Sequence, residues 1–258
     1  MKYNPYFIHP SLVQHLVSQN FVKTSFLADI ESPTNLCYIK VRLVKSTNDN
    51  DKIKIGVNMN EKFFDLKKEK QDRMINAALK IFAASGYKHA STDDIVAEAG
   101  ISKGLLFHYF GSKLGLYTFL YDYSVRFMKL ELTSGVSSTA TDYFEIRKQM
   151  EYAKMQVLKN YPYMQGFLNR CKSEDVSEAL MAIEKQRSVI QDVYAVLKNQ
   201  SDRSLFVAAV DFEKLDAMLD YTISGLMNAR FEDASFHPEM LYEETVSYLD
   251  MMKKIAYK

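Results

Sequence analysis

Between Gly86 and Lys113 the chain has room for only two short helices, and its glycines and hydroxyl residues stand where helix ends need them. Gly100 closes the run Thr92–Ala99, and Gly111 closes residues 102–110. Thr92 and Ser102 are the expected N-caps, because a short hydroxyl side chain accepts a hydrogen bond from a free N–H of the first turn. Ile95, Val96 and Ala99 then face inward from the first helix, while Leu106 and Phe110, four residues apart, share the buried face of the second. Helices this short are not stable alone. The segment 67–85 supplies a neighbour, setting Met74, Ala77, Ala78, Ile81 and Phe82 along one apolar stripe before a stop at Gly86. The pattern predicts a three-helix helix-turn-helix unit.

The second short helix leaves Lys103, Gly104, Leu105, Phe107, His108 and Tyr109 for its outer side. A leucine and aromatics there need a cover, and a DNA major groove is a natural one. Lys113 points the same way. It follows the N-cap candidate Ser112, where a positive charge opposes the helix dipole, whereas a bound phosphate would make the lysine, the free N–H groups and the dipole all favourable. Against this stands a plainer reading in which Thr92 and Ser102 are caps alone and Tyr109 packs.

From Leu66 onward the periodicity is helical nearly throughout, with further breaks at 133–139, Pro162, 199–204 and His237-Pro238. Two long helices close the chain, at about 211–231 and 238–256. Leu215, Met218, Leu219, Thr222, Leu226 and Met227 form one stripe, and Leu241, Thr245, Tyr248, Leu249 and Met252 another. Either stripe serves a subunit interface or the chain's own core. Between them and the short helices lies a region rich in tyrosine, phenylalanine and methionine: Tyr123, Phe127, Tyr152, Met155, Tyr163, Met164, Phe167 and Tyr194. Such residues suit an irregular apolar ligand as well as an ordinary core.

The chain carries 7 Lys/Arg against 4 Asp/Glu in residues 1–58, 11 against 8 in 59–130, and 15 against 20 in 131–258, balances of +3, +3 and −5. The sign change suits a DNA-facing half and a half that avoids DNA. Cys37 and Cys171 have no cysteine neighbours, so neither a disulfide framework nor a zinc site is expected. The five histidines have no metal-ligand spacing, and no phosphate-binding glycine loop or Gly-x-Ser-x-Gly signature occurs, which disfavours an enzyme, a metal or a cofactor. No signal-peptide order opens the chain and no apolar run approaches the roughly 20 residues that span a bilayer. A cytoplasmic protein without membrane contact is expected.

Residues 1–58 read differently. Alternation at 38–45 and 52–57 around Asn48-Asp49-Asn50 predicts a β-hairpin. The segment is expected to be a peripheral extension, either poorly ordered or foreign to a native chain that starts at Met59.

Taken together, the amphipathic Met74 to Phe82 stripe and Thr92, Ile95, Gly100, Ser102, Leu106, Tyr109, Phe110, Ser112 and Lys113 resemble the DNA-binding domain of the tetracycline-repressor (TetR) family. The resemblance implies an all-α protein with a helix-turn-helix domain at 59–115, followed by a helical effector-binding and dimerisation domain at 116–258. It implies a homodimeric repressor on a near-palindromic operator, released by a small-molecule effector, for which the aromatic and methionine-rich region suggests a lipophilic or aromatic compound. By position, Thr92, Tyr109 and Lys113 would clamp phosphates, Lys103, Gly104, Leu105 and Phe107 would meet base edges, and Ser102 and His108 would lie beside them. The last two helices would pair with their copies. Phe107 stands where the family carries a tyrosine, so a contact through that hydroxyl is not expected. The competing reading is a helical interaction or scaffolding protein whose helix-turn-helix no longer binds DNA.

Overall fold

The computed structural model describes residues 61–231 and 237–258, and the predicted hairpin lies outside them. The described residues fall in one compact unit. A 3₁₀ turn, Glu61–Asp65, leads into α1 (Lys68–His89), α2 (Thr92–Ala99), α3 (Lys103–Phe110) and α4 (Lys113–Gly135). There follow α5 (Tyr143–Asn160), α6 (Met164–Lys172), α7 (Ser177–Ile183), α8 (Val189–Asn199), α9 (Phe212–Phe231) and α10 (Pro238–Ala256). Among the described residues there is no strand, only an isolated antiparallel bridge between Phe206 and Tyr257. The fold is all-α, as the sequence predicts.

The helix ends follow the local chemistry with two departures. Ser102 and Ser112 cap α3 and α4, their hydroxyls accepting from the N–H groups of Leu105 at 3.2 Å and Gly115 at 3.0 Å. The cap of α2, however, is Ser91 and not Thr92: the Ser91 hydroxyl accepts from Asp93 N at 3.1 Å and Asp94 N at 3.4 Å. Gly86 breaks α1 as expected, with φ 65°, but one further turn continues to His89. The expected stripe of α1 is only half of its buried surface. Met74, Ala77, Ala78 and Phe82 are buried, and so are Ile75 and Leu79, because α6 packs along a second side of the helix. Gly166 of α6 lies against Ala83, where a Cβ would meet the Ala83 methyl at 3.7 Å, an ordinary contact, so the approach does not depend on glycine.

The second part is built around α5, which packs against α4 on one side and α10 on another. Tyr143 and Phe144 at its start, Phe206, and Leu215, Leu219, Leu249 and Ala256 from the last two helices make one core cluster. The chain's end is fastened to it by backbone bonds, Val207 N to Ala256 O at 2.9 Å and Lys258 N to Leu205 O at 3.1 Å. A charged network lies at the same level. The guanidinium of Arg147, itself buried, donates to Asp216 at 2.7 Å and Asp220 at 2.6 Å, and Lys198 pairs with Asp216 from α8. Burial pushes the Asp216 carboxyl up, but bonds from Lys198 and Tyr143 and the charges of Arg147 and Lys198 outweigh it and hold the group below the usual carboxylate range. These pairs fix α9 against α5 and α8. No helix among the described residues is long and apolar enough to cross a membrane.

Candidate nucleic-acid interface

The helix-turn-helix is α2, the Gly100 turn and α3. Gly100 has φ 60°, the left-handed conformation that ends α2 and lets the chain reverse. Ile95 and Ala99 turn inward, Val96 only partly, and Leu106 and Phe110 are buried as expected. On the outer side of α3, Lys103, Gly104 and His108 are exposed, with Leu105 and Phe107 half-buried beside them. Lys103 pairs with Asp93 of α2 at 2.8 Å, both side chains open to solvent. Such a pair holds little energy, so Lys103 is free to exchange its partner for another.

Tyr109 does not belong to this outer side. It is only 7% exposed, its ring meeting Phe63 edge-on at 5.6 Å between centroids. Phe63 comes from the 3₁₀ turn before α1, a contribution no local pattern in α3 could reveal. It is fully buried, with Phe110 at 5.1 Å and Phe119 at 5.4 Å completing the ring cluster beneath the recognition helix.

Gly115 is a second residue that sequence reasoning missed. A Cβ on it would lie 2.0 Å from the carbonyl oxygen of Phe110, the last residue of α3. That contact is with backbone and cannot be relieved by a side-chain rotation. Gly115→Ala is therefore expected to displace α3 relative to α4, costing about 1 to 3 kcal/mol as overpacking does. Denaturant unfolding measures this, and an unchanged midpoint would show that α3 and α4 separate freely.

Lys113 begins α4. Its Nζ donates to the carbonyl of Lys88 at 3.3 Å and lies 4.8 Å from the centroid of the Tyr87 ring. Burial lowers its pKa, partly offset by the charges of Glu178 and Glu174. An anion is thus not the sole explanation for a lysine at this helix start: the protein itself supplies a ring and a carbonyl. Thr92, at the first position of α2, is half-buried.

The aromatic and methionine residues expected to line one effector pocket are mostly core and have different neighbours. Tyr123 and Phe127 stack with each other, and both meet Tyr161 edge-on. Phe167 packs on Phe82 and Tyr117, while Tyr152 meets Tyr242 and Tyr194 lies beneath Lys154. Met155 and Met164 are buried and Tyr163 is half-buried. Of the eight, Met155 alone lines the crevice between α5, α6, α9 and α10, whose other walls include Glu151, Lys154, Gln165, Leu241 and Tyr242. Its volume is about 20 Å³, room for about one water.

The expected subunit-interface residues also divide. Leu215, Leu219, Leu241, Thr245 and Leu249 are buried within the chain, since both leucine stripes face α5 and each other. Thr222, Leu226 and Met252 are half-buried. Met218 and Tyr248 are exposed, and they share their helices' outer sides with Tyr221, Met251 and Ile255, which the sequence pattern did not single out.

Comparison with known proteins agrees with this geometry. Residues 74–118 match the family described as bacterial regulatory proteins, tetR family. The chain is 34% identical over 168 residues to YuxN of Bacillus subtilis, an uncharacterized HTH-type transcriptional regulator, covering 64% of this chain and 55% of that one. It is 40% identical over 47 residues to TtgW of Pseudomonas putida, another uncharacterized HTH-type transcriptional regulator, covering 18% of this chain and 35% of that one. The chain therefore spans about half, or less, of the length of these curated relatives. In fold it is similar to a TetR family transcriptional regulator from Chloroflexus aurantiacus, with TM-score 0.52 and 20% identity over 76% of this chain and 95% of that one. From within α1 to the start of α4, residues 74–118 thus match the tetR family of bacterial regulatory proteins, and the fold beyond them is similar to that of a TetR family transcriptional regulator.

Proposed function

We propose that the protein is a cytoplasmic, sequence-specific DNA-binding transcriptional regulator, acting as a homodimer on a near-palindromic operator. The observation that carries this reading is the outer side of α3. Lys103, Gly104 and His108 stand exposed beside half-buried Leu105 and Phe107, on a helix whose start is capped and whose inner side is fixed by Leu106, Tyr109 and Phe110. On this reading Lys103, Gly104, Leu105 and Phe107 meet base edges. Thr92, Ser102, His108 and Lys113 approach the backbone, with Tyr109 supporting α3 from below. Residues 59–115 form the DNA-binding part and 116–258 the part that dimerises and senses an effector.

Release by a small lipophilic or aromatic effector is the regulatory side of the proposal. Its support is the crevice against Met155, Leu241 and Tyr242. A ligand of ordinary size has to widen it, and doing so shifts the equilibrium only by the ligand's differential affinity for the two conformations.

The test is a mobility shift with DNA from beside the protein's own gene, across a salt series. Lys113→Ala is expected to weaken binding to all sequences and to flatten the salt dependence by about one unit of slope. Lys103→Ala is expected instead to change preference at particular operator positions. Absence of DNA binding at low salt would favour an interaction or scaffolding role.

A further inference from the structure

The kink at Gly86 turns the backbone of Tyr87 out of α1, and the second domain receives it. Tyr87 N–H donates to Glu174 Oε2 at 3.1 Å, and the Tyr87 hydroxyl donates to Glu178 Oε1 at 2.6 Å. Glu174 lies in the segment joining α6 to α7, and Glu178 is on α7. The carboxylate of Glu174 is fixed in turn: the Tyr117 hydroxyl donates to Oε2 at 3.4 Å, and the N–H groups of Asp175 and Val176 to Oε1 at 3.2 and 3.1 Å. The Tyr87 ring, packed on Phe82 and Tyr117, carries the Lys113 ammonium on its remaining surface.

We propose that Tyr87, held by Glu174 and Glu178, is a positioning residue for Lys113, so that the α6–α7 segment sets how firmly the DNA-binding head grips phosphate. The inference rests on reading Lys113 as a phosphate contact. A free lysine loses its rotamer freedom when it binds, whereas one already seated over a ring at the start of α4 has lost much of it. A tyrosine hydroxyl that donates to a carboxylate gains electron density in its ring, which strengthens the attraction for an ammonium above it. The two glutamates could otherwise act only as negative charges near DNA, and then removing one would tighten binding. Positioning predicts the opposite sign.

The experiment measures binding of the full chain to a labelled duplex of mixed sequence at low salt, because a phosphate contact carries no base information. Glu178 is exposed, so Glu178→Ala removes the hold on Tyr87 without opening the core. It is expected to weaken DNA binding by about two- to tenfold, the range of an exposed to partly buried cation–π contact. Tyr87→Leu is expected to weaken it at least as much, and neither change has a further effect in the Lys113→Ala background. In the free protein the Lys113 ε-methylene protons are expected upfield of other lysines by the ring current, and to move back towards them in Glu178→Ala. Tighter or unchanged binding in Glu178→Ala, or losses that simply add to that of Lys113→Ala, would overturn the positioning role while leaving Lys113 as a phosphate contact. Unchanged affinity in Lys113→Ala itself would instead overturn the phosphate reading, and this inference with it.

Discussion

Phe63→Ala is expected to lower the unfolding free energy by about 3 to 5 kcal/mol, the cost of deleting a fully buried aromatic side chain, and to weaken DNA binding as a consequence. The ring has no exposure and stands between Tyr109 and Phe110 of α3 and Phe119 of α4. Its loss leaves a cavity beneath the recognition helix, which α3 and α4 cannot close by moving together at their junction, where Gly115 already lies against the Phe110 carbonyl. The turn that carries Phe63 is fastened from α1: the amide of Gln71 donates to the carbonyls of Phe64 at 3.3 Å and Leu66 at 2.7 Å. Phe64, half-buried on the same turn, provides the comparison, and Phe64→Ala should cost clearly less. Urea unfolding followed by circular dichroism measures both. If Phe63→Ala unfolded at the wild-type midpoint, the turn would be an appendage and not part of the head.

This residue also marks where sequence reading stops. The periodicity of α1, the caps at Ser102 and Ser112 and the glycine turns at Gly100 and Gly111 are local signals, and the structure keeps them. Pro238 opens α10 and Ala256 ends it, as the His237-Pro238 break and the apolar stripe imply. Thr92 and Ser91 are adjacent hydroxyls of equal merit as caps; only the extended backbone of Ser91, φ −94° and ψ 131°, assigns the role. Tyr109 reads as an outer residue because nothing in α3 itself can cover it, and its cover comes from a turn some 45 residues earlier. The breaks after Lys172 and Ile183 carry neither glycine nor proline and have no local signature.

Charge was the other blind spot. Arg147, Glu151 and Lys154 follow one another along α5 at spacings that suit a solvated helix face. In the fold Arg147 and Glu151 are buried, since Asp216 and Asp220 meet the guanidinium, Lys198 pairs with Asp216 in turn, and Lys154 pairs with Glu151 at 2.6 Å. Periodicity counts charged residues as surface, and only tertiary partners allow them inside. The same limitation affected the last two helices. Their leucines form the cleaner stripe, but a helix between a core and a second surface has two apolar sides, and the leucines belong to the core.

Tyr221→Glu combined with Ile255→Glu is accordingly expected to give a folded monomer, whereas Leu249→Glu is expected to unfold the helices packed around α5. Tyr221 is 79% exposed and Ile255 63%, and Met218, Tyr248 and Met251 stand at helical spacing with them on the outer sides of α9 and α10. Large apolar side chains in such a row are costly to leave in water and are the mark of an interface. Gly225 adds a second argument, since a side chain on it would meet nothing within 4 Å. A glycine in an exposed helix costs about 1 kcal/mol relative to alanine, and close approach of a second subunit's helix would offset that cost. Leu249, by contrast, is fully buried beside Tyr143 and Phe144, where a carboxylate has no partner and the penalty reaches several kcal/mol. Analytical ultracentrifugation separates monomer from dimer, and circular dichroism reports whether each variant is folded. The folded monomer should bind a full palindrome at least about a hundredfold more weakly, because the second half-site is no longer held at high effective concentration. A double variant that still sediments as a dimer would place the subunit contact elsewhere, and a folded, monomeric Leu249→Glu would return the leucine stripe to the interface.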